Sequence, residues 1–335
     1  MKALYFLCIL LVTVSCKDEG LQTYVLQGNA FGTTYTIQYF SSSEIDTEKG
    51  IDSVLYAINK SVSTYMPNSD ISKINRGDTT VIVDEIFKEV FRVSEAVYTN
   101  SHGYFDPTIG VLRNAYGFGD TKPLNSIDKG VVDSLMTYVG FKKVQITKSG
   151  KVEKTHPEIY FDFNAVAKGY GIDRLGRYLE SEGIANYLIE LGGEILAKGK
   201  NLNKDKPWTV GIEAVSSSLE DRTYQATVNL TDLAMASSGN YRKFRIDSVS
   251  GVTYVHTINP LTGSAEQSDI TSATVIASSC GVADAYATAL MSMGLERSKE
   301  LLKKTNGIEA YITYNETARI EKEYITEGFK KLLND

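Results

Sequence analysis

Asp284 and Thr288 stand four positions apart in a stretch, Ile270 to Met293, that runs from β-branched residues into an Ala-rich helical pattern. Residues at i and i+4 lie on one face of a helix, so a carboxylate and a hydroxyl would sit one turn apart. Hard oxygen donors of this kind suit Mg²⁺, which keeps room for phosphate oxygens in its coordination shell. Alone, the pair is also what an acidic residue near a helix start and a tolerated Thr would look like. Its meaning depends on which other segments the fold brings beside it.

The chain opens with MKALYFLCILLVTVSC, in which a lone Lys2 precedes an apolar run from Ala3 to Val14 and a small residue, Ser15, precedes Cys16. The run is shorter than the roughly 20 residues that cross a bilayer, and it ends as secretory signals do. The expected organisation is a signal peptide over residues 1–15, a tether over 16–23 that begins at a lipidated Cys16, and one domain over 24–335. The alternative is ordinary cleavage nearby with Cys16 left as a thiol. If Cys16 is lipidated, the protein is exported, anchored to a bacterial membrane and faces the periplasm.

Removal of the signal would take Cys8 with it and lipidation would consume Cys16, so Cys280 is the one thiol left and no disulfide framework can form. With Ser279 and Gly281 beside it and no His near it in sequence, Cys280 reads as a small buried thiol. Loss of Lys2 moves the formal charge from −6 to −7. An acidic chain without a Lys/Arg run gains no affinity for nucleic acid from its overall field, and none is expected as a partner. A phosphorylated substrate would need local positive charge, which a bound metal supplies.

Elements that could position Asp284 and Thr288 are legible in the periodicity. Tyr24–Ala30 and Thr34–Phe40 predict a hairpin around Gly32. Helices are predicted over Ile51–Val62, Asp84–Thr99, Ala165–Glu182, Cys280–Met293 and Glu296–Thr305; Ile86, Val90, Val93 and Val97 form a core stripe in the second. Strands are predicted at Tyr187–Glu190, Glu194–Lys198, Thr209–Ile212, Tyr224–Leu230, Leu233–Ser237, Tyr241–Ile246, Thr253–Ile258 and Ile270–Ala277, closed by Gly307–Thr313 and Arg319–Thr326. Helices gather early and strands late, which points to an α+β fold with mainly antiparallel sheet and packed helices rather than a regular βαβ alternation.

No GxxxxGK[ST] loop occurs. Gly169, Gly171 and Gly176 have the wrong spacing for a dinucleotide fingerprint and fall inside a helical pattern, where close helix packing explains them. Gly192 and Gly193 lie between two strands, as a tight turn or as backbone facing a phosphate. Five further segments put polar and aromatic groups at turns: GNAFGTTYT (28–36), STYMPNSDISKIN (63–75), GYFDPTIG (103–110), FDFNAVAKGYGID (161–173), and MASSGNYRKFR (235–245) leading to HTINPLTG (256–263). In this order, and ending in ADAYATAL, the set resembles the FAD:protein FMN transferases, the ApbE-type flavin transferases, from about Gly28 to Gly328.

The resemblance implies an ApbE-like fold and an enzyme that takes FAD, uses Mg²⁺, releases AMP and joins FMN through its phosphate to a Thr or Ser hydroxyl of an exported acceptor. Acceptors of that family belong to Rnf- and Nqr-type redox complexes or related extracytoplasmic electron carriers. By matching motif positions, Asp284 and Thr288 become the side-chain Mg²⁺ ligands, joined by the backbone carbonyl of Ala165. Asp162, Lys168, Tyr65, Tyr104, Phe105 and Asp106 match FAD contacts. Phe31 stands at a flavin-site position where Met is common. Ser237, Ser238, Gly239, His256, Thr257 and Ile258 match the segments at the isoalloxazine end.

His256 is the expected general base, one of three histidines with His102 and His156. The chain departs from the family pattern at Glu194, where an LGGN-like motif is more usual, and at Ala287, where some members carry a second Asp. Two competing readings use the same residues: an FAD pyrophosphatase giving FMN and AMP, and a flavin-carrying lipoprotein without turnover. The Asp284 and Thr288 pair and His256 speak against the second.

Overall fold

The computed structural model of the chain describes residues 20–44, 46–214, 223–240, 244–246, 251–317 and 320–334. The signal segment 1–15, Cys16 and the tether to residue 19 lie outside them, as do residues 241–243 of one predicted strand and Arg319 of another.

In chain order the elements begin with strands β1 (Gln22–Ala30) and β2 (Thr33–Ser41), then helices α1 (Thr47–Val62), α2 (Asp70–Asn75), α3 (Glu85–Asn100), α4 (Gly110–Tyr116) and α5 (Lys129–Met136). Short strands β3 (Val144–Ile146) and β4 (Val152–Lys154) precede α6 (Asn164–Ser181). Six strands follow: β5 (Tyr187–Leu191), β6 (Glu194–Lys198), β7 (Trp208–Glu213), β8 (Tyr224–Leu230), β9 (Leu233–Gly239) and β10 (Phe244–Ile246). The chain closes with β11 (Thr253–Val255), β12 (Ile270–Ala277), α7 (Cys280–Met293), α8 (Leu295–Lys304), β13 (Glu309–Thr317), β14 (Ile320–Ile325) and α9 (Glu327–Lys330).

Eight strands form one sheet in the order β1-β2-β5-β6-β9-β12-β13-β14. Every neighbouring pair is antiparallel, as the α+β expectation required. The alternation Tyr187, Ile189, Leu191 of β5 turns one face toward α1 and α6, where these residues join Ile51, Leu55, Ile172, Leu175 and Leu179. Toward the centre of the sheet strand β12 is buried on both faces, so its pattern is a continuous apolar run rather than an alternation. The opposite face is covered by Trp208, Val228 and Leu230 of the β7–β8 ribbon and by Phe329 of α9.

On the helical side, α3, α6 and α7 pack over β9 and β12 in the largest core cluster, to which Ile86, Val90 and Val97 contribute and against which Val93 lies half-buried. Helix α7 is buried nearly all round, the signature of a helix inside a layer rather than on a surface. The helices and strands read from periodicity correspond to elements of the fold within a few residues at each end. Helices α2, α4, α5 and α9 and the β3–β4 pair were not anticipated.

Candidate active site

Two helices cross without room for a side chain between them. A Cβ on Gly169 of α6 would lie 2.4 Å from the Cys280 carbonyl oxygen and 2.9 Å from Asp284 Cβ. A Cβ on Gly281 of α7 would lie 3.1 Å from the Tyr170 backbone nitrogen. Gly171 and Gly176 are equally committed to packing, against the Phe31 ring and against Leu196 and Tyr187. The glycines of AKGYGIDRLG therefore serve helix contact, as their spacing suggested.

The register of the crossing is fixed by Asp173. Its carboxylate accepts from Ser279 Oγ at 2.7 Å, from the Cys280 amide at 2.7 Å and from the Gly281 amide at 2.9 Å. These are orphan donors of the first turn of α7, whose own N-cap residue, Ser279, makes no side-chain cap. Capping from a neighbouring helix satisfies α7 and locks it to α6 in one step. Cys280 is wholly buried at this junction, and burial pushes its thiol well above the ordinary range.

One turn further on, Asp284 is buried and its Oδ2 accepts from the Gly169 amide at 3.1 Å. That amide is the ordinary helical partner of the Ala165 carbonyl four residues earlier. The crossing thus gathers Asp284, Ala165 and Thr288 on one cavity wall. Thr288 Oγ1 lies 3.4 Å from Ser238 Oγ, which ties it to β9.

Lys168 sits beside these groups with its Nζ 2.6 Å from Glu194 Oε2. Burial raises the carboxyl groups of both Glu194 and Asp284 above their usual range, against the pull of the Lys168 ammonium. Burial alone would depress Lys168, and the two carboxylates outweigh it and hold it above its usual value. Two buried carboxylates therefore face one ammonium. Among the described residues no three His, Cys, Asp or Glu side chains gather as a metal cage. Asp284 and Thr288 instead offer one carboxylate and one hydroxyl beside the backbone of Ala165, an oxygen-donor set that fits a hard divalent cation keeping open positions.

The cavity extends from this wall as a cleft of about 310 Å³ lined by Tyr104, Phe105, Asp106, Asp162 and Lys168, and by Ser237, Ser238, Gly239, His256, Thr257 and Ile258. Phe31 and Tyr65 line a second lobe of about 680 Å³, which shares Arg113, Asn164 and Lys168 with the first. Every site residue read from the sequence within the described residues thus falls on one two-lobed cleft, although they span positions 31 to 288.

Their carboxylates are not equally free. Both Asp106 oxygens are engaged, Oδ1 within its own loop by the Thr108 amide and hydroxyl at 2.8 and 2.6 Å and Oδ2 by the distant Phe141 amide at 3.0 Å. Burial still raises this carboxyl to about 6. Asp162 is ion-paired with Arg113 through Oδ2 and accepts from the Asn164 amide at 2.8 Å through Oδ1, so it also supports the first turn of α6. Tyr104 is held through its backbone, its carbonyl accepting from Ser292 Oγ of α7 at 2.6 Å.

His256 follows β11 and is half-buried, with the Phe118 ring edge-on at 6.5 Å. His102 is exposed and His156 lies against Tyr138; neither lines the cleft. Gly192 lines it at the β5–β6 turn, where Gly192 and Gly193 both have positive φ, so that turn also faces the site. Arg113 and Asn164 had not been singled out. Arg113 lies on α4, which periodicity did not reveal, and Asn164 stood inside a quoted motif without a role of its own.

An all-antiparallel sheet bears a locked helix pair, with oxygen donors and a two-lobed cleft at their crossing. The chain belongs to the ApbE family, whose match runs over residues 31–312. An FAD:protein FMN transferase of Vibrio cholerae is 34% identical to it over 98% of each chain. The protein of that name from Escherichia coli K12 is 28% identical over 95% of this chain and 91% of its own length. Among solved structures, the flavin transferase ApbE from Vibrio cholerae superposes with a TM-score of 0.82 at 32% identity, covering 93% of this chain and all of that one. The ApbE protein of Thermotoga maritima gives 0.80 at 27% identity over 94% of this chain.

Proposed function

We propose that this chain is an FAD:protein FMN transferase that uses Mg²⁺ to move FMN from FAD onto a Thr or Ser hydroxyl of an exported acceptor protein. The observation that carries the reading is the convergence of family motif positions from Phe31 to Thr288 on one cleft beside oxygen donors. The relatives' activity supports it, since the chain is similar to them over nearly its full length.

In this reading Asp284, Thr288 and the Ala165 carbonyl hold the cation. Bound there, Mg²⁺ would neutralise the diphosphate and stabilise departing AMP. The chain's own residues do the rest. Tyr104, Phe105 and the Ser237–Gly239 edge of β9 line one lobe and Phe31 and Tyr65 the other, so the two halves of FAD can divide between them. The acceptor hydroxyl approaches from the His256 side, and an imidazole nitrogen of His256 takes its proton as the oxygen attacks the FMN-side phosphorus. The bond from that phosphorus to the bridging oxygen breaks, and AMP carries the bridging oxygen away.

Acceptors of the Rnf and Nqr type, or related extracytoplasmic electron carriers, suit such an enzyme if it is exported and lipid-anchored through Cys16 with its domain facing the periplasm. No helix among the described residues is long and apolar enough to cross a membrane; in this reading a lipid on Cys16 is the means of attachment. Replacing Cys16 with Ala should release the protein from the membrane fraction and abolish labelling by radioactive palmitate.

The activity is tested by incubating the tether-free protein with FAD and Mg²⁺, with and without a candidate acceptor. An FMN-sized mass gain on the acceptor supports transfer. Free FMN and AMP in its presence and absence alike would make the protein a pyrophosphatase, and unchanged FAD a carrier. His256→Ala should lower transfer more than FAD binding; equal loss of both would reassign His256 to binding.

A further inference from the structure

Arg113, Asn164 and Lys168 are the residues common to the two lobes of the cleft. Lys168 is already engaged by Glu194 at 2.6 Å. The other two hold unused donors. Arg113 gives one Nη1 hydrogen to Asp162 Oδ2 and one Nη2 hydrogen to the Phe118 carbonyl at 2.9 Å. A guanidinium carries five, so three remain on a fork that these two bonds hold in place. Asn164 Nδ2 is shielded from solvent and has no hydrogen-bond partner among the described residues. A fold that leaves a buried donor unpaired at the meeting point of two cavities leaves it for a ligand.

We infer that Arg113 and Asn164 are substrate-positioning residues that together grip the diphosphate bridge of the dinucleotide where it passes from one lobe to the other. The inference rests on the reading of FAD as substrate and adds the recognition of its bridge to that reading. A dinucleotide occupying both lobes must thread its phosphates through the shared wall, and phosphate oxygens are acceptors only. A planar, permanently charged fork and a side-chain amide are the donors suited to them. Asp162 acts through Arg113, setting the direction of its fork. Because the pair reads the bridge and not the ring, affinity for FAD depends on it while affinity for riboflavin does not. The contact is made in the bound substrate and kept through the reaction, so its loss appears in KM rather than kcat.

The full-length protein, its Asn164→Ala variant and its Arg113→Gln and Arg113→Lys variants should be compared for FAD and riboflavin Kd by flavin fluorescence. KM and kcat at saturating Mg²⁺ and the thermal midpoint complete the comparison. Asn164→Ala should weaken FAD binding about fivefold while the thermal midpoint holds or rises, since it deletes an unpaired buried donor. Arg113→Gln should raise KM for FAD about 30-fold with kcat changed less than about threefold, and Arg113→Lys should recover part of that loss. Riboflavin affinity should stay within about twofold in all variants. Wild-type binding of FAD with unaltered affinity in both Asn164→Ala and Arg113→Gln overturns the proposal, as does an equal loss for riboflavin or a loss confined to kcat. A wild type that neither binds nor consumes FAD overturns the functional reading and this proposal with it.

Discussion

The two lobes of the cleft hold their distinctive residues by different means. The metal-side lobe stands on α6 and α7, whose backbones meet at Gly169 and Gly281 and are clamped by Asp173. The second lobe shares α6 and adds α1, but its two aromatic residues stand on turns: Phe31 sits in a hairpin corner at φ 51°, followed by Gly32 at φ 77°, and Tyr65 is 63% exposed. Groups that must hold a cation and a reacting phosphorus within a few tenths of an ångström need rigid supports, while aromatic faces tolerate looser ones. The helix pair should therefore fail abruptly when altered and the turn lobe only by degrees.

The sharpest break should come from Asp284→Asn, which keeps the shape and the Gly169 contact but removes the charge. Turnover should fall by about three orders of magnitude or more, as expected when a metal ligand is lost. The thermal midpoint should hold or rise, because a buried carboxylate raised by desolvation is a burden on the apo fold. Mn²⁺ binding followed by electron paramagnetic resonance gives a readout independent of turnover. Undiminished Mn²⁺ affinity in this variant would remove Asp284 from the metal site.

Gly169→Ala should come next, and it contrasts with the same change at Gly32. At Gly169 the new Cβ meets backbone at 2.4 Å, which cannot rotate away, so about 3 kcal/mol of stability should go with most of the activity. At Gly32 nothing lies within 4 Å and only the positive φ resists, so about 1 kcal/mol and little activity should be lost. Chemical denaturation of the two variants decides it. Equal costs would mean that the helix crossing is softer than its distances imply.

How much of this was legible in the chain depends on the kind of signal. Helix α7 was readable to its ends because an Ala-rich run is bounded by Ser279 and Gly294, and β6 and β12 because β-branched runs are unambiguous when long enough. The motif order brought the site residues together before any coordinates did. Helices α4 and α5 were not read: GVLRNAY is seven residues with Arg113 and Asn114 in its middle, and the apolar stripe of α5, Val132, Leu135 and Met136, lies in a helix of only eight residues, too short for its period to stand out. Asp173 was invisible for another reason. It caps a helix more than a hundred positions later, a relation with no local trace. The engagement of Asp106 by Phe141 and of Asp162 by Arg113 likewise depends on distant partners that only the fold supplies.

A smaller effect separates the rim of the metal-side lobe from its centre. Burial raises Asp106 from its ordinary 3.8 to about 6. Between those pH values the unfolded chain gives up its proton before the folded one does. The stability that this group contributes is therefore complete below about pH 4 and is lost as pH rises to about 6, about 3 kcal/mol in all for a shift near two units. Asp106→Asn cannot titrate, so the difference in unfolding free energy between variant and wild type should move by that amount from pH 4 to pH 7. Urea titrations at the two pH values measure it. A difference that stays constant would show that the donors of Thr108 and Phe141 outweigh burial and keep Asp106 ionised throughout.

The gentlest break belongs to the turn lobe. Tyr65 is exposed at the cleft and outside the buried core, so Tyr65→Ala leaves no cavity and should leave the thermal midpoint unchanged. If its ring lies against a flat part of the substrate, the loss is a stacking contact of about 1 kcal/mol, a rise in KM for FAD of about fivefold with kcat kept. Tyr65→Phe retains the face and should behave as wild type, while Tyr65→Leu retains apolar area without the face and should fall between. A kcat loss in Tyr65→Ala as large as that in Asp284→Asn would overturn the contrast between the lobes, because a residue on an exposed turn would then be setting the geometry of the reacting phosphorus. An unchanged KM would place the ring outside the substrate's path altogether.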